Sequence, residues 1–137
     1  MASVYFQIMP AIFKSAWPYT KDALNLPVKS VDDALPFYQT LMGFSLLSRG
    51  ENPKRVVLGR DEIQIGLSEN GGDPTQEGCF FEVDDVEAAF TELKARGLAK
   101  DEAGFRIDKH GATEWKVFFV VAPDGLCYCV GQRQRST

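Results

Sequence analysis

Two cysteines near the C-terminus, Cys127 and Cys129, are the residues whose type and spacing first suggest chemistry. They follow a predicted turn at Pro123-Asp124-Gly125, and the apolar residues around them are typical of a strand. Side chains alternate across a strand, so both thiols should share one face. A thiol nucleophile needs a base within hydrogen-bond reach. The only histidine, His110, lies in a predicted turn, and no motif brings it to the thiols.

His110 is also a weak candidate for metal binding. His110 and Glu114 are four residues apart, the spacing of a metal-ligand pair on a helix. Gly111 and the strand-forming residues that follow it oppose a helix at this point, so we interpret His110 as a surface residue. The sequence contains no glycine-rich phosphate loop and no dinucleotide-binding motif.

The overall composition excludes several classes of function. The chain is 45% hydrophobic and 25% charged, with a net charge of −4, as in an ordinary globular protein. It has no basic character that would indicate nucleic-acid binding. No apolar run approaches the roughly 20 residues that cross a bilayer, and the N-terminus lacks the charged region of a signal peptide. We therefore predict a cytoplasmic protein without nucleic-acid or membrane partners.

The elements that position the cysteines emerge from an internal repeat with a lag of 55 residues. Each copy has a good N-cap residue, Ser30 or Asp85, followed by apolar residues three and four apart. This pattern predicts helices over residues 31–42 and 86–96, each ended by a glycine. Pro36 lies inside the first helix and should disturb its second turn.

Strand-like segments surround each helix in the same order, one before it and three after it. The predicted strands are 23–28, 44–48, 55–58 and 62–67 in the first copy, and 78–83, 105–109, 115–121 and 126–131 in the second. Gly59-Arg60-Asp61 is predicted to form a hairpin turn. The chain is therefore divided into an N-terminal arm (1–22), a first βαβββ module (23–67), a linker (68–77) and a second βαβββ module (78–132), all in one domain.

Three segments carry a resemblance to a known family. They are "LPVKSVDDALPFYQTLMGF" in the first module, and "FFEVDDVEAAFTELKARG" and "APDGLCYCV" in the second. With the two βαβββ modules, the chain resembles the vicinal oxygen chelate superfamily of glyoxalase I, bleomycin-resistance proteins and extradiol dioxygenases. The resemblance covers about residues 23–132. It implies an α+β fold, an open eight-stranded barrel-like sheet with a concave pocket, and a homodimer.

The resemblance also implies where a metal would bind. In enzymes of this superfamily a divalent metal is held in the pocket by His, Glu or Gln side chains from four strands. The corresponding positions here are Ala23, Gln64, Gly78 and Cys129. Alanine and glycine have no side-chain donor, so this set is too small for a metal site. We therefore expect no metal, no cofactor and no catalytic residue at this place, which favours a protein that is not an enzyme.

Strand alternation predicts the residues that face the pocket. The candidate ligand-binding residues are Asn25, Gln64, Phe80, Glu82, Trp115 and Cys129. On the first strand Leu24, Leu26 and Val28 should face the helix. For residues 115–121 the phase stays open, because Phe118 and Phe119 are both apolar. Glycine and alanine at two former ligand positions should leave space, which favours ligand binding over a filled interior.

Three hypotheses of function follow. The first is a protein of the bleomycin-resistance type that binds a small organic molecule in the concave pocket without a metal. The second is a lyase or dioxygenase with a relocated or degenerate divalent-metal site, and the third is a non-catalytic scaffold module. The apolar arm "VYFQIMPAIF", residues 4–13, could add a strand to a sheet edge or lie across a partner.

Overall fold

The computed structural model describes residues 10–18, 22–75 and 77–134. The strands are β1 Phe13–Pro18, β2 Leu26–Pro27, β3 Ser45–Gly50, β4 Arg55–Arg60, β5 Ile63–Ser68, β6 Glu77–Val83, β7 Arg106–His110, β8 Thr113–Val121 and β9 Cys127–Arg133. The helices are α1, Val31–Pro36, which continues as a π-helical turn over Phe37–Leu41, and α2, Val86–Ala95.

The two modules repeat one topology, which confirms the predicted α+β fold of paired βαβββ units. The first forms a sheet in the order β2-β5-β4-β3, and the second forms the order β6-β9-β8-β7. In each module the strand before the helix runs parallel to the last strand, and the remaining pairs are antiparallel. The strand β1 pairs antiparallel with β6 and makes the second sheet five-stranded. Part of the N-terminal arm therefore adds a strand to a sheet edge. This strand shares only Phe13 with the predicted segment 4–13, and residues 1–9 lie outside the described part of the chain.

Both helices begin at the predicted residues because their caps are local. The Ser30 hydroxyl accepts a hydrogen bond from the Asp33 N–H at 3.2 Å. A carboxylate oxygen of Asp85 accepts one from the Ala88 N–H at 3.0 Å. Each bond satisfies a backbone donor that the first turn leaves without a helical partner.

Pro36 disturbs the first helix as expected. Proline has no N–H to donate to the preceding turn, so the α-helical bonding ends at this residue. The chain continues in a wider turn, in which the Met42 N–H donates to the Phe37 carbonyl five residues earlier at 3.0 Å. Gly43 then ends the segment with a φ of 77°.

The first predicted strand, 23–28, is largely wrong, because only Leu26–Pro27 pair with β5. Asp22 turns the chain instead: its carboxylate accepts the Leu24 N–H at 2.9 Å and its carbonyl accepts the Asn25 N–H at 3.1 Å. As a result Leu24 is exposed and does not pack on the helix.

The hairpin between β4 and β5 turns later than predicted. Gly59 and Arg60 belong to β4, and Asp61 begins the turn with a φ of 50°. Gly59 pairs with Gln64, and the Leu47 side chain lies over it. Asp61 can occupy the left-handed region because Asp tolerates it better than most residues.

One hydrophobic core joins both modules, and its largest members are aromatic. The hydroxyl groups of Tyr38 and Tyr128 lie 2.6 Å apart inside it, and the ring of Tyr128 stacks on Phe81. Phe13 of β1 is fully buried against Phe44 and Phe81. The N-terminal strand therefore contributes to folding as well as to the sheet. Within the described residues no helix is long and apolar enough to cross a membrane.

Candidate ligand-binding face

The two faces of β8 differ in what they pack against. Phe118 and Val120 enter the main core, whereas Trp115 and Val117 belong to a separate cluster together with Cys129. This answers the question that the sequence left open, namely which side chains of residues 115–121 point away from the core. We call the side of the five-stranded sheet that carries Trp115, Val117 and Phe119 the open face.

Aromatic rings cover the centre of the open face. Phe80 meets Trp115 edge to face, with ring centroids 5.0 Å apart. The Phe80 ring also lies over Gly131, where an added Cβ would be only 2.6 Å from the Phe80 Cζ atom. Phe80 and Phe119 are half-buried, and Cys129 is 3% exposed beneath the rings. Contact between a ligand and Cys129 would therefore require the rings to move.

Charged side chains border these rings. The Arg106 guanidinium lies 4.7 Å from the Phe119 centroid, and that of Arg133 lies 5.2 Å from a Trp115 centroid. Asp108 accepts a hydrogen bond from Arg106 at 2.8 Å. On β6 the Glu82 carboxylate accepts a hydrogen bond from the Ser15 hydroxyl at 3.1 Å and lies 3.9 Å from the Lys14 ammonium. The face thus combines flat apolar surface with acidic and basic groups at its edge.

The residues at the implied metal positions do not fit a metal ion. A β-bulge in β6 places both Gly78 and Cys79 opposite Tyr128, between the Glu77–Cys127 and Phe80–Cys129 pairs. A Cβ at Gly78 would lie 2.8 Å from the Tyr128 ring, so this glycine leaves no empty space, contrary to our expectation. Ala23 offers only its carbonyl, which accepts the Gly66 N–H at 2.8 Å. Among the described residues no three His, Cys, Asp or Glu side chains are arranged to hold a metal.

The structure brings four of the six predicted site residues together. Phe80, Glu82, Trp115 and Cys129 share the open face of the five-stranded sheet. Gln64 is exposed on the four-stranded sheet and lines a groove of about 490 Å³. Asn25 is exposed in the turn before β2, where its side-chain oxygen accepts a hydrogen bond from the Asn70 amide at 3.0 Å.

That groove has a different chemical character from the open face. Its walls include the charged side chains Arg60, Asp61, Glu62, Glu92 and Arg96. Arg60 is 9% exposed and donates to the carbonyls of Met42 and Ala11 at 2.7 and 3.0 Å, and also to Glu92. Because these donors are already paired within the protein, the charges of the groove mainly stabilise the fold.

Three buried groups, the Cys79 thiol and the hydroxyls of Tyr38 and Tyr128, are held in their neutral forms. Burial raises the pKa of the Cys79 thiol from its ordinary value of 9.0 to about 12. Burial also raises the pKa of Tyr38 and of Tyr128 above the ordinary value. His110 is exposed at the end of β7. These groups therefore offer no thiolate or buried base at neutral pH.

Sequence reasoning missed several residues of the open face. Ser15 and Trp17 fall within the predicted N-terminal arm. The sequence pattern gives no signal that Arg106 and Arg133 border the site. The apolar character of the arm was the available signal for β1. A bulge at Lys14 decides which side of β1 faces the aromatic rings, and β1 contains no glycine, the residue that often marks a bulge in a sequence.

Comparison with known proteins identifies the family that the sequence resembles. The sequence model described as "Glyoxalase/Bleomycin resistance protein/Dioxygenase superfamily" matches residues 21–126. No curated protein matches this sequence.

Solved structures with a similar fold include both binding proteins and an enzyme. TnmS3, an antibiotic-binding protein from Streptomyces sp. CB03234, is 23% identical with a TM-score of 0.60, covering 84% of this chain and 97% of its own. A bleomycin-binding protein complexed with bleomycin is 22% identical with a TM-score of 0.58, covering 84% and 99%. A lactoylglutathione lyase from Agrobacterium tumefaciens is 15% identical with a TM-score of 0.61, covering 84% and 94%. At these identities the likeness extends to the fold alone.

Proposed function

The chain belongs to the Glyoxalase/Bleomycin resistance protein/Dioxygenase superfamily, and from this premise we propose that it binds a small, partly apolar organic molecule without a metal at the inherited site. The proposed binding surface is the open face, with Phe80 and Trp115 as its apolar centre and Glu82 as its polar anchor. Two proteins of similar structure are an antibiotic-binding protein and a bleomycin-binding protein, which supports this class of function by analogy.

One observation carries the proposal: an aromatic cluster lies on the side of the sheet that faces away from the core. Phe80 and Phe119 are half-buried although the main core is on the other side of the sheet. Small-molecule sites combine such apolar surface with a few polar groups that fix orientation. Glu82 and the Ser15 hydroxyl bonded to it supply those groups.

The residues at the inherited metal positions support binding rather than metal-assisted catalysis. They supply one amide and one thiol, whereas an oxygen-liganded or zinc site needs several donors. We expect metal analysis of the purified protein to find no stoichiometric zinc, nickel, iron or manganese. About one tightly held metal per chain, lost on changing Gln64 or Cys129 to Ala, would favour the alternative of an enzyme with a degenerate site.

A thermal-shift screen of small aromatic and heterocyclic compounds tests the binding function. A compound that binds only the folded protein raises its melting temperature. Phe80→Ala should weaken binding of any hit about 2- to 10-fold, because an aromatic pair contributes about 0.5–1.5 kcal/mol beyond burial. Ile107→Ala is the matched control, since this exposed residue pairs with Lys116 on the opposite side of the sheet.

Gln64→Ala separates the open face from the groove on the other sheet. Binding that depends on Phe80 but not on Gln64 places the ligand on the open face. Binding that depends on Gln64 alone contradicts the proposed surface. A screen without any hit would contradict the function itself and favour a non-catalytic scaffold.

A further inference from the structure

The N-terminal strand β1 extends the open face beyond the residues that the family model matches. We infer that Trp17 forms a wall of the ligand site, and that the ligand carries a flat aromatic ring system which stacks on this indole. This inference rests on the proposed function. The match to the family model begins at residue 21, whereas β1 spans Phe13–Pro18, so this wall lies outside the matched residues.

A bulge in β1 makes this arrangement possible. Phe13 pairs with Val83, but Ser15 already pairs with Glu82, so Lys14 is the extra residue. Without the bulge, positions 13, 15 and 17 would share one face. With it, Phe13 enters the core while Ser15 and Trp17 lie beside Glu82 and Phe80 on the open face.

Hydrogen bonds hold the indole in one orientation. The Trp17 ring N–H donates to the Ser15 hydroxyl at 2.7 Å, and that hydroxyl donates to Glu82 at 3.1 Å. The ring nitrogen is therefore satisfied within the protein. An indole fixed in this way can present a face to a ligand with little further loss of side-chain freedom.

The exposure of Trp17 sets it apart from the rest of the aromatic surface. Trp17 is 58% exposed, whereas Trp115 is 9% exposed. Trp17 pairs across the strands with Phe80, and Phe80 in turn contacts Trp115. An exposed indole on the strand next to Phe80 and on the same face, with its N–H already bonded, fits a flat ring system better than a saturated one.

Titration with three probes tests the inference. Proflavine is a flat cation, 2-naphthoate is a flat anion, and decahydro-2-naphthoate is the saturated counterpart of the anion. Trp17→Ala should weaken binding of both flat probes about 2- to 10-fold, and Trp17→Phe should restore most of it. Ser15→Ala should weaken binding less, since it removes only the bond that orients the ring. The saturated probe should be indifferent to all three changes, and Ile107→Ala should leave every affinity unchanged.

Several outcomes would overturn the inference and leave the proposed function standing. One is a flat probe or screening hit whose affinity falls in Phe80→Ala but is the same for Trp17→Ala as for the unmodified protein. Another is a site that prefers the saturated probe. The mass in solution of Trp17→Ala is the third readout: if the substitution separates an assembled protein into monomers, Trp17 belongs to a contact between copies. If no flat probe binds while the wider screen yields a ligand dependent on Phe80, only the inference fails.

Discussion

The Cys79 thiol is buried in the core beside the bulge of β6 and makes stability depend on pH. Its pKa is about 12 in the folded protein, compared with an ordinary value of 9.0. Above pH 9 the unfolded chain releases this proton while the folded chain keeps it. The folded state therefore binds more protons, so its stability is fully present below pH 9 and decreases as the pH rises towards 12.

We predict that the free energy of unfolding falls by about 2 kcal/mol between pH 8 and pH 10.5 through Cys79, at about 1.4 kcal/mol per unit above pH 9. Urea unfolding at a series of pH values measures this fall. Cys79→Ala should show a shallower decline over the same range, whatever its stability at pH 8. Buried tyrosines such as Tyr38 add to the decline above pH 10 in both proteins. Equal slopes for the two proteins would contradict the role of Cys79.

At the scale of elements, a buried ion pair connects β4 to α2. The Arg60 guanidinium and the Glu92 carboxylate contact each other, with their side chains 7% and 3% exposed. Glu92 also accepts a hydrogen bond from Arg96 at 2.8 Å. The Arg60 guanidinium also lies over the Phe13 ring, 4.2 Å from its centroid. One carboxylate thereby anchors a strand of the first module to the helix of the second.

Glu92→Gln should lower the free energy of unfolding by about 3 kcal/mol, because it leaves the buried guanidinium with only the more exposed Asp61 carboxylate, 3.3 Å from Arg60 Nε, as a compensating charge. Chemical denaturation of both proteins measures the difference. Asp32→Asn is the matched control, since Asp32 pairs with Arg49 and Lys54 on the surface and should have a much smaller effect. Equal losses for the two variants would show that the pair between β4 and α2 has no special importance.

At the scale of the whole molecule, the described surface exposes several large apolar side chains. Leu24, Leu47 and Val121 are each more than half exposed. Single exposed apolar residues are normal on a protein surface, so these side chains do not by themselves mark an interface. The expectation of a homodimer therefore rests on the family resemblance. Cytoplasmic location stays a prediction from composition.

We predict a homodimer in solution. Light scattering coupled to size exclusion should give a mass of about 30 kDa, twice the 15.2 kDa of the chain. Val121→Ser changes an exposed apolar residue at the end of β8, and a shift of the species towards the monomer would place Val121 in the contact. A mass near that of one chain for the unmodified protein at micromolar concentration would contradict the prediction.

The sequence by itself determined the features that depend on local signals. Ser30 and Asp85 cap the helices through residues three positions away, and Pro36 ends α-helical bonding through its own missing N–H. Repetition of these signals defined two modules and their order. Strand alternation also predicted that Phe80 would face the pocket side, and its neighbour Phe81 is buried in the core on the other side.

Only the tertiary structure decided the composition of the site. The bulges at Lys14 and Gly78 shift the phase of β1 and β6, and they depend on pairing between strands that are distant in the sequence. Tertiary structure also decided the positions of two predicted site residues. Asn25 lies in a turn and not in the predicted strand, and Gln64 lies on the four-stranded sheet, away from the open face. A shift of one residue moves every following side chain to the opposite face, so a ligand site built across several strands is set by their register and not by any single segment.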